Sequence, residues 1–379
     1  MKFKIQQTDF SKALLSASKS LLSKVNLPIL ANIMVSVSKN KLEILSTNLE
    51  TATKVIVECL GEADGKVAVP GKLLFEFVSQ LPEGEVVFEK LGSEVVISAK
   101  RYSGRFATAP VEDFPAIPKI DAGYSFSLNP GDFEKAVLRV AYSAAMEEGR
   151  PILTGILCEF AKNSLSMAAT DGYRLSFQKI PYGGKTGEPV KVIMPARALL
   201  EAAKIVSENS EALGDGKIEL LVAQGLNQVN IKVANVEYTT RLIEGVFPNW
   251  QKLIPTSFIS SAKVPREELI KIVRVASIFA RDAGSIVRFK LEAQGAKGGL
   301  LSVSAANSQV GSNEAQCEVE LSGKGGEIAF NFRYLLEMLS SVDGDEVVFE
   351  MIESLNPGRL TIPGDADFFH IIMPVRLQS

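Results

Sequence analysis

Histidine is almost missing from this chain: its 379 residues include one, His370, the tenth residue from the end. That scarcity removes Ser–His–Asp and Cys–His catalysis and histidine-ligated metal sites together. Cysteine is scarce too. Cys59, Cys158 and Cys317 are scattered, odd in number and not at metal-ligand spacing, which fits reduced thiols in a cytoplasmic protein. No uncharged run approaches the roughly 18 residues a membrane-spanning helix needs, and the opening MKFKIQQTDF lacks the apolar core of a signal peptide. Gly184–Lys185–Thr186 imitates the end of a phosphate-binding loop, but Lys179 stands where its first glycine belongs. Glu147 and Glu148 are adjacent and diverge, and Asp343–Gly344–Asp345 lacks the other ligands of a calcium loop. The expectation is therefore no catalytic residue, no metal and no cofactor: a protein that is not an enzyme, located in the cytoplasm. A net charge of −3 argues weakly against nucleic acid, yet it says nothing of how charge is distributed.

What is present is repetition. VPGKLLFE (Val69–Glu76), MPARALLE (Met194–Glu201) and FNFRYLLE (Phe330–Glu337) each place a cation four residues before a glutamate. Lys72 recurs as Arg197 after 125 residues and as Arg333 after a further 136. A second series keeps nearly the same steps. Phe10–Leu14 returns as Phe133–Val137 and Leu27–Leu30 as Arg150–Leu153, both after 123 residues; Thr47–Asn48 returns as Thr170–Asp171 after 123, and Asp171 matches Asn307 after 136. Repeats of that size are domain-sized, not solenoid units. The chain divides into 1–121, 122–257 and 258–379, with linkers at Ala116–Tyr124 and Ile254–Ala262.

Within each repeat, periodicity predicts helix, strands, helix, strands. Phe10, Ala13, Leu14 and Ala17 fall on one helical face, with Lys12, Ser16, Lys19 and Ser23 opposite and Asp9 as the expected N-cap. Phe133, Ala136, Val137 and Val140 repeat the stripe behind Asp132, with Lys135 and Arg139 outside. Leu269, Ile272, Val273 and Ala276 repeat it again beside Lys271, Arg274 and Arg281. Alternating runs such as Ile33–Val37, Ile156–Phe160 and Val287–Leu291 read as half-buried strands. The fold class is α+β: three repeated domains, each with two helices and antiparallel sheets. On these residues alone, a non-DNA interaction scaffold with solvated basic helices, or an enzyme with an unrecognised site between repeats, stays open beside a DNA-binding reading.

Leu27–Pro28–Ile29–Leu30, Ala169–Thr170–Asp171–Gly172–Tyr173–Arg174–Leu175, Phe247–Pro248 and Met373–Pro374–Val375–Arg376–Leu377 narrow the choice. Over its whole length the chain resembles the bacterial DNA polymerase III beta subunit family, the sliding clamps. The resemblance implies the DNA-clamp fold, with each chain half of a homodimeric, head-to-tail ring around duplex DNA. It implies a processivity factor with no catalytic residue. Its partners would be duplex DNA without sequence preference, a second copy of itself, the polymerase III alpha subunit, an ATP-driven clamp loader, and other polymerases and repair proteins. Channel cations would be Lys12, Lys19, Lys24, Lys72, Lys135, Arg139, Arg197, Lys204, Lys271, Arg274, Arg281 and Arg333. The positions matching the family's peptide pocket are Leu153, Thr170, Gly172, Tyr173, Arg174, Leu175, Pro248, Lys252, Leu253, Ile371, Ile372, Met373, Pro374, Val375, Arg376 and Leu377. Phe106 would meet Ile278 and Phe279 of the other subunit. Tyr173 stands where many relatives carry His, Lys252 where many carry Arg, and Thr108 where a larger aliphatic is common. Altered peptide preference and a somewhat weaker dimer follow as expectations.

Overall fold

The structure, a computed structural model, describes residues 1–21, 27–117, 120, 122–147, 149–183, 188–225, 227–295, 298–309 and 311–376. The predicted alternation of helix and strand is present in each repeat. The first helices are α1 (Gln7–Ala17), α3 (Pro130–Val140) and α6 (Arg266–Ala280), and the second are α2 (Gly71–Ser79), α4 (Ala196–Glu208) and α7 (Phe332–Ser341). A short α5 (Ser210–Leu213) follows α4. Phe10, Ala13, Leu14 and Ala17 are buried, as the periodicity requires.

Two expected caps are elsewhere. α1 begins at Gln7, so Asp9 lies in its first turn, where its charge favours the helix dipole without capping. α3 begins at Pro130, and Asn129 Oδ1, not Asp132, accepts from a first-turn amide, that of Asp132 at 3.1 Å. The expected linkers are also shortened, because the strands Gly123–Leu128 and Ser260–Pro265 use their last residues.

Contacts divide the chain into two compact units: Met1–Glu134 with Tyr182–Lys185 and Arg197–Leu242, and Lys135–Pro181 with Thr186–Ala196 and Ile243–Ser379. The first unit holds a five-stranded sheet ending at the edge strand Tyr102–Ala107, and an eight-stranded sheet. In the latter, Thr51–Glu58 of the first repeat pairs antiparallel with Val236–Arg241 of the second, Thr51 opposite Thr240. The second unit holds a twelve-stranded sheet in which Arg174–Pro181 of the second repeat pairs antiparallel with Asp365–Ile372 of the third, Arg174 opposite Ile372. Cores are aromatic: Phe3 stacks on Phe88 with Phe10 edge-on, and Phe289, Phe330 and Phe349 meet edge to face.

The repetition extends to individual hydrogen bonds. Thr47 Oγ1 donates to the Thr51 carbonyl at 2.8 Å while Asn48 Oδ1 accepts from the amides of Glu50 and Thr51. At the matching positions, Thr170 Oγ1 donates to the Arg174 carbonyl at 2.6 Å and Asp171 Oδ1 accepts from the amides of Tyr173 and Arg174. Asn307 Oδ1 accepts from Gln309 in the third repeat. Side-chain oxygens thus satisfy turn amides that no strand reaches, which is why Thr-Asn or Thr-Asp is needed there. Likewise Gln7 Nε2 donates to the Val78 carbonyl and Arg266 Nη1 to the Leu339 carbonyl, each tying a first helix to the end of a second.

Candidate docking pocket and basic helices

The Thr170–Arg174 turn enters the strand Arg174–Pro181, which borders Asp365–Ile372. The ladder continues one step beyond the strands, with the Met373 amide donating to the Tyr173 carbonyl at 2.8 Å. Behind this junction lies an apolar cluster of Ala168, Leu175, Ile193, Phe247, Trp250 and Ile371, with Phe177 and Phe369 packed against it. Phe177 stacks on Phe369 at 4.9 Å and meets Trp250 at a tilt of 34°, 5.1 Å between ring centres. Of the residues expected to line the pocket, Leu153, Leu175, Ile371 and Ile372 are buried, Leu253 and Met373–Val375 are half-buried, and Gly172, Tyr173, Pro248, Lys252 and Arg376 are exposed. A polarizable methionine and aliphatic walls over an aromatic floor suit an apolar side chain from a partner. Gly172 adopts φ +94°, a left-handed conformation that glycine reaches without steric cost.

Arg174 is not a free cation at this site. It is 8% exposed: Nε donates to Asp171 Oδ2 at 3.0 Å, Nη2 to the Tyr142 carbonyl at 2.5 Å, and Nη1 to Glu337 Oε2. Its guanidinium lies 4.4 Å from the Tyr334 ring centre. The residue fixes the turn to α7 and leaves little of its fork for a ligand. Beneath it, Ser176 Oγ lies 2.8 Å from both His370 Nδ1 and Ser143 Oγ, and donates to the Tyr142 hydroxyl at 2.9 Å. Burial, reinforced by the Arg174 charge, pushes the His370 pKa down to about 3, so the ring is neutral. Burial likewise pushes the Tyr142 hydroxyl up to about 12 and raises all three cysteine thiols.

Most of the expected channel cations are exposed on the paired helices. Lys12, Lys72, Lys135, Arg197, Lys204, Lys271, Arg274 and Arg333 lie on helices, and Arg281 directly follows α6. Two depart from expectation. Arg139 is 2% exposed: Nη1 donates to Asp365 Oδ2 at 2.7 Å and to Gln178 Oε1 at 3.2 Å, over the Phe368 ring. It belongs to the interior and is withdrawn from the channel set. Lys19 is held by Glu208 at 2.6 Å with its side chain 13% exposed, so it too is committed within the protein. Lys24 and Leu377 lie outside the described residues, as do Glu148 and Gly184–Lys185–Thr186. Of the contact expected between subunits, Phe106 is buried edge-on against Phe77 at 5.4 Å, Ile278 is 61% exposed, and Phe279 is half-buried.

Sequence reasoning missed Trp250, Tyr334, Glu337 and the Phe177–Phe369 stack. Trp250 was traceable as the lone tryptophan, two residues beyond Phe247–Pro248. Glu337 was visible as the acid of the repeated helix pattern, but its partner was not. In the first repeat Glu76 stays beside Lys72 at 3.9 Å, and in the second Glu201 pairs with Lys204 at 2.8 Å; in the third Glu337 turns to Arg174.

Three family models match consecutive segments: the N-terminal domain of the DNA polymerase III beta subunit at 1–118, the central domain at 127–249 and the C-terminal domain at 251–376. The chain belongs to that family. Relatives named beta sliding clamp from Synechocystis and Streptomyces coelicolor are 27% and 28% identical, with all of both chains covered. The fold matches the polymerase III beta subunit of Thermotoga maritima with a TM-score of 0.92 at 24% identity, covering both chains completely. A Pseudomonas aeruginosa sliding clamp bound to griselimycin matches with a TM-score of 0.90 at 25% identity, again over both full lengths. The three-domain clamp fold of antiparallel sheets and paired helices is therefore the fold of this chain. Among the described residues no helix is long and apolar enough to cross a membrane, and no cluster of metal-ligating side chains is present.

Proposed function

We propose that this chain is a DNA sliding clamp, two copies of which close head to tail into a ring around duplex DNA and dock replication proteins through the pocket at Thr170–Leu175 and Ile371–Arg376. The observation that carries the reading is the match of all three repeats to one clamp family. Strand pairing supports the dimer. Within the chain, Thr51–Glu58 takes a partner strand from the second repeat and Arg174–Pro181 takes one from the third. The matching strand of the third repeat, Gly311–Gly323, pairs only with Gly298–Asn307 over Ser312–Gln316, among the described residues. Among the described residues Tyr102–Ala107, the edge strand of the first repeat that carries Phe106, pairs only with Glu94–Ala99. A heterologous contact between these two leftovers satisfies both edges and closes the ring. Repeat boundaries at 1–121, 122–257 and 258–379 then mark six domains around the ring.

The role of the exposed cations is diffuse attraction to phosphate, which carries no sequence information and weakens as salt rises. A ring retains the duplex by linkage, so weak contacts suffice and sliding stays easy. No nucleotide site is used; opening falls to a separate ATP-driven loader. The clamp itself is non-catalytic, works in the cytoplasm and serves the polymerase III alpha subunit, other polymerases and repair proteins.

The deciding experiment is topological. Loaded onto nicked circular DNA with a clamp loader and ATP, the protein is expected to stay through a high-salt wash and to leave once the circle is linearised. Equal retention on circular and linear DNA, or none on either, would defeat the reading.

A further inference from the structure

The turn that forms the docking pocket has a twin. Around Thr47–Ala52 the structure holds a cavity of about 120 Å³, walled by that loop, by Pro115–Ile117, and by Gln228, Thr239 and Arg241. All three walls match the docking pocket. The loop repeats the Thr170–Leu175 turn bond for bond, with Leu49 donating its amide to Thr47 Oγ1 at 3.0 Å as Gly172 does to Thr170 Oγ1 at 3.0 Å. The facing strand repeats as well: the Arg241 amide donates to the Glu50 carbonyl at 3.0 Å, as Met373 does to Tyr173 at 2.8 Å. Pro115 follows Phe114 where Pro248 follows Phe247.

Matched geometry carries changed chemistry. Gly172 becomes Leu49, which holds φ +76°, a conformation branched side chains avoid, and is 46% exposed. Strain of that kind persists where the surroundings impose it and points to use. Tyr173 becomes Glu50, Arg174 becomes Thr51 and Met373 becomes Arg241. Glu50 and Arg241 are exposed, and among the described residues neither is in an ion pair. For scale, an apolar cavity of about 150 Å³ takes up a benzene ring.

We infer that the cavity at Thr47–Ala52 and Arg241 is a second peptide-docking site, for a short extended segment that seats an aliphatic side chain beside Leu49 and Ile117 and offers an adjacent carboxylate to Arg241. The inference rests on the reading of the first pocket as a peptide site. Arg241 supplies a planar fork that methionine lacks, so an acidic residue is selected where the first pocket takes an apolar one. Glu50 turns away a second acid.

Photo-crosslinking of the full-length protein tests this. One probe is acetyl-Ser-Leu-Asp-Ser-amide with a diazirine leucine; the other is acetyl-Ser-Leu-Ser-Leu-amide with the same label. The acidic probe is expected to label residues 47–52 or 115–117, and its Asn version at least fivefold less; the neutral probe is expected to label residues 170–175 or 371–376. Arg241→Glu, at an exposed position, should keep the parent melting temperature and lose at least tenfold of the acidic labelling. Leu49→Gly should relax the backbone, raise the melting temperature and still reduce labelling. Labelling confined to residues 170–175 and 371–376, or acidic labelling that persists in both variants, would overturn the second site alone. Labelling of neither pocket by either probe would overturn both.

Discussion

Arg139 and His370 show how far a side chain's surroundings outweigh its type. On a helical wheel Arg139 belongs with the outward cations; in the fold it is sequestered with Asp365 and Gln178. Removing one member of a buried pair costs roughly 3–5 kcal/mol, and Asp365, 24% exposed, recovers part of that from water. Arg139→Met is therefore expected to lower stability by about 2–4 kcal/mol in urea unfolding, while the salt dependence of DNA binding stays as it was. His370 makes a prediction in pH. Its folded pKa of about 3 lies below the ordinary value near 6.5, so the unfolded chain takes up the proton first. Its contribution is complete above pH 6.5 and declines as pH falls toward 3, by about 1.4 kcal/mol per unit. His370→Gln should lose less stability than the parent between pH 7 and 4.5, read from urea midpoints. An equal loss would mean that carboxylates alone set the acid limb.

Among elements, the Thr-Asx turn is the smallest unit to which the proposed docking function attaches. Asp171 caps two amides and holds Arg174 Nε, so its side chain fixes both the backbone and the guanidinium beneath the pocket. Asp171→Ala is expected to weaken binding of an apolar peptide at least tenfold by anisotropy, while light scattering still reports the parent's oligomeric state. An unchanged affinity would mean the pocket does not need the turn's geometry. The turn was legible in the sequence because its residue types recur at the same step and have few other uses. Helix faces and strand alternation were legible for the same reason, since each depends on neighbours within a few residues. Arg139 was not. Its acid lies 226 residues away, and nothing local distinguishes an arginine facing solvent from one facing a carboxylate. Glu337 failed likewise: the repeated pattern implies an intrahelical partner, and only the pairing of Arg174–Pro181 with Asp365–Ile372 brings it a better one.

For the whole molecule, the proposed role of the cations is a sum. Each phosphate contact adds about 0.9 to the slope of log affinity against log salt. Replacing Lys72, Lys135 and Lys271 together by alanine, all exposed on helices, should flatten that slope by about 2–3 in DNA-binding titrations. The same three changes should leave peptide binding untouched. A slope equal to the parent's would place these lysines away from the duplex. The triplication itself was the most legible property of the chain, while the strand partners that cross from repeat to repeat were invisible, because pairing across more than a hundred residues leaves no local periodicity.

Those crossing ladders have a consequence for anyone who wishes to divide the protein. Similarity in sequence advertises three modules, yet Arg174–Pro181 has its neighbour in Asp365–Ile372 and Thr51–Glu58 in Val236–Arg241. A fragment ending near residue 250 would bare a ladder of unpaired amides and carbonyls along Arg174–Pro181, an invitation to aggregate.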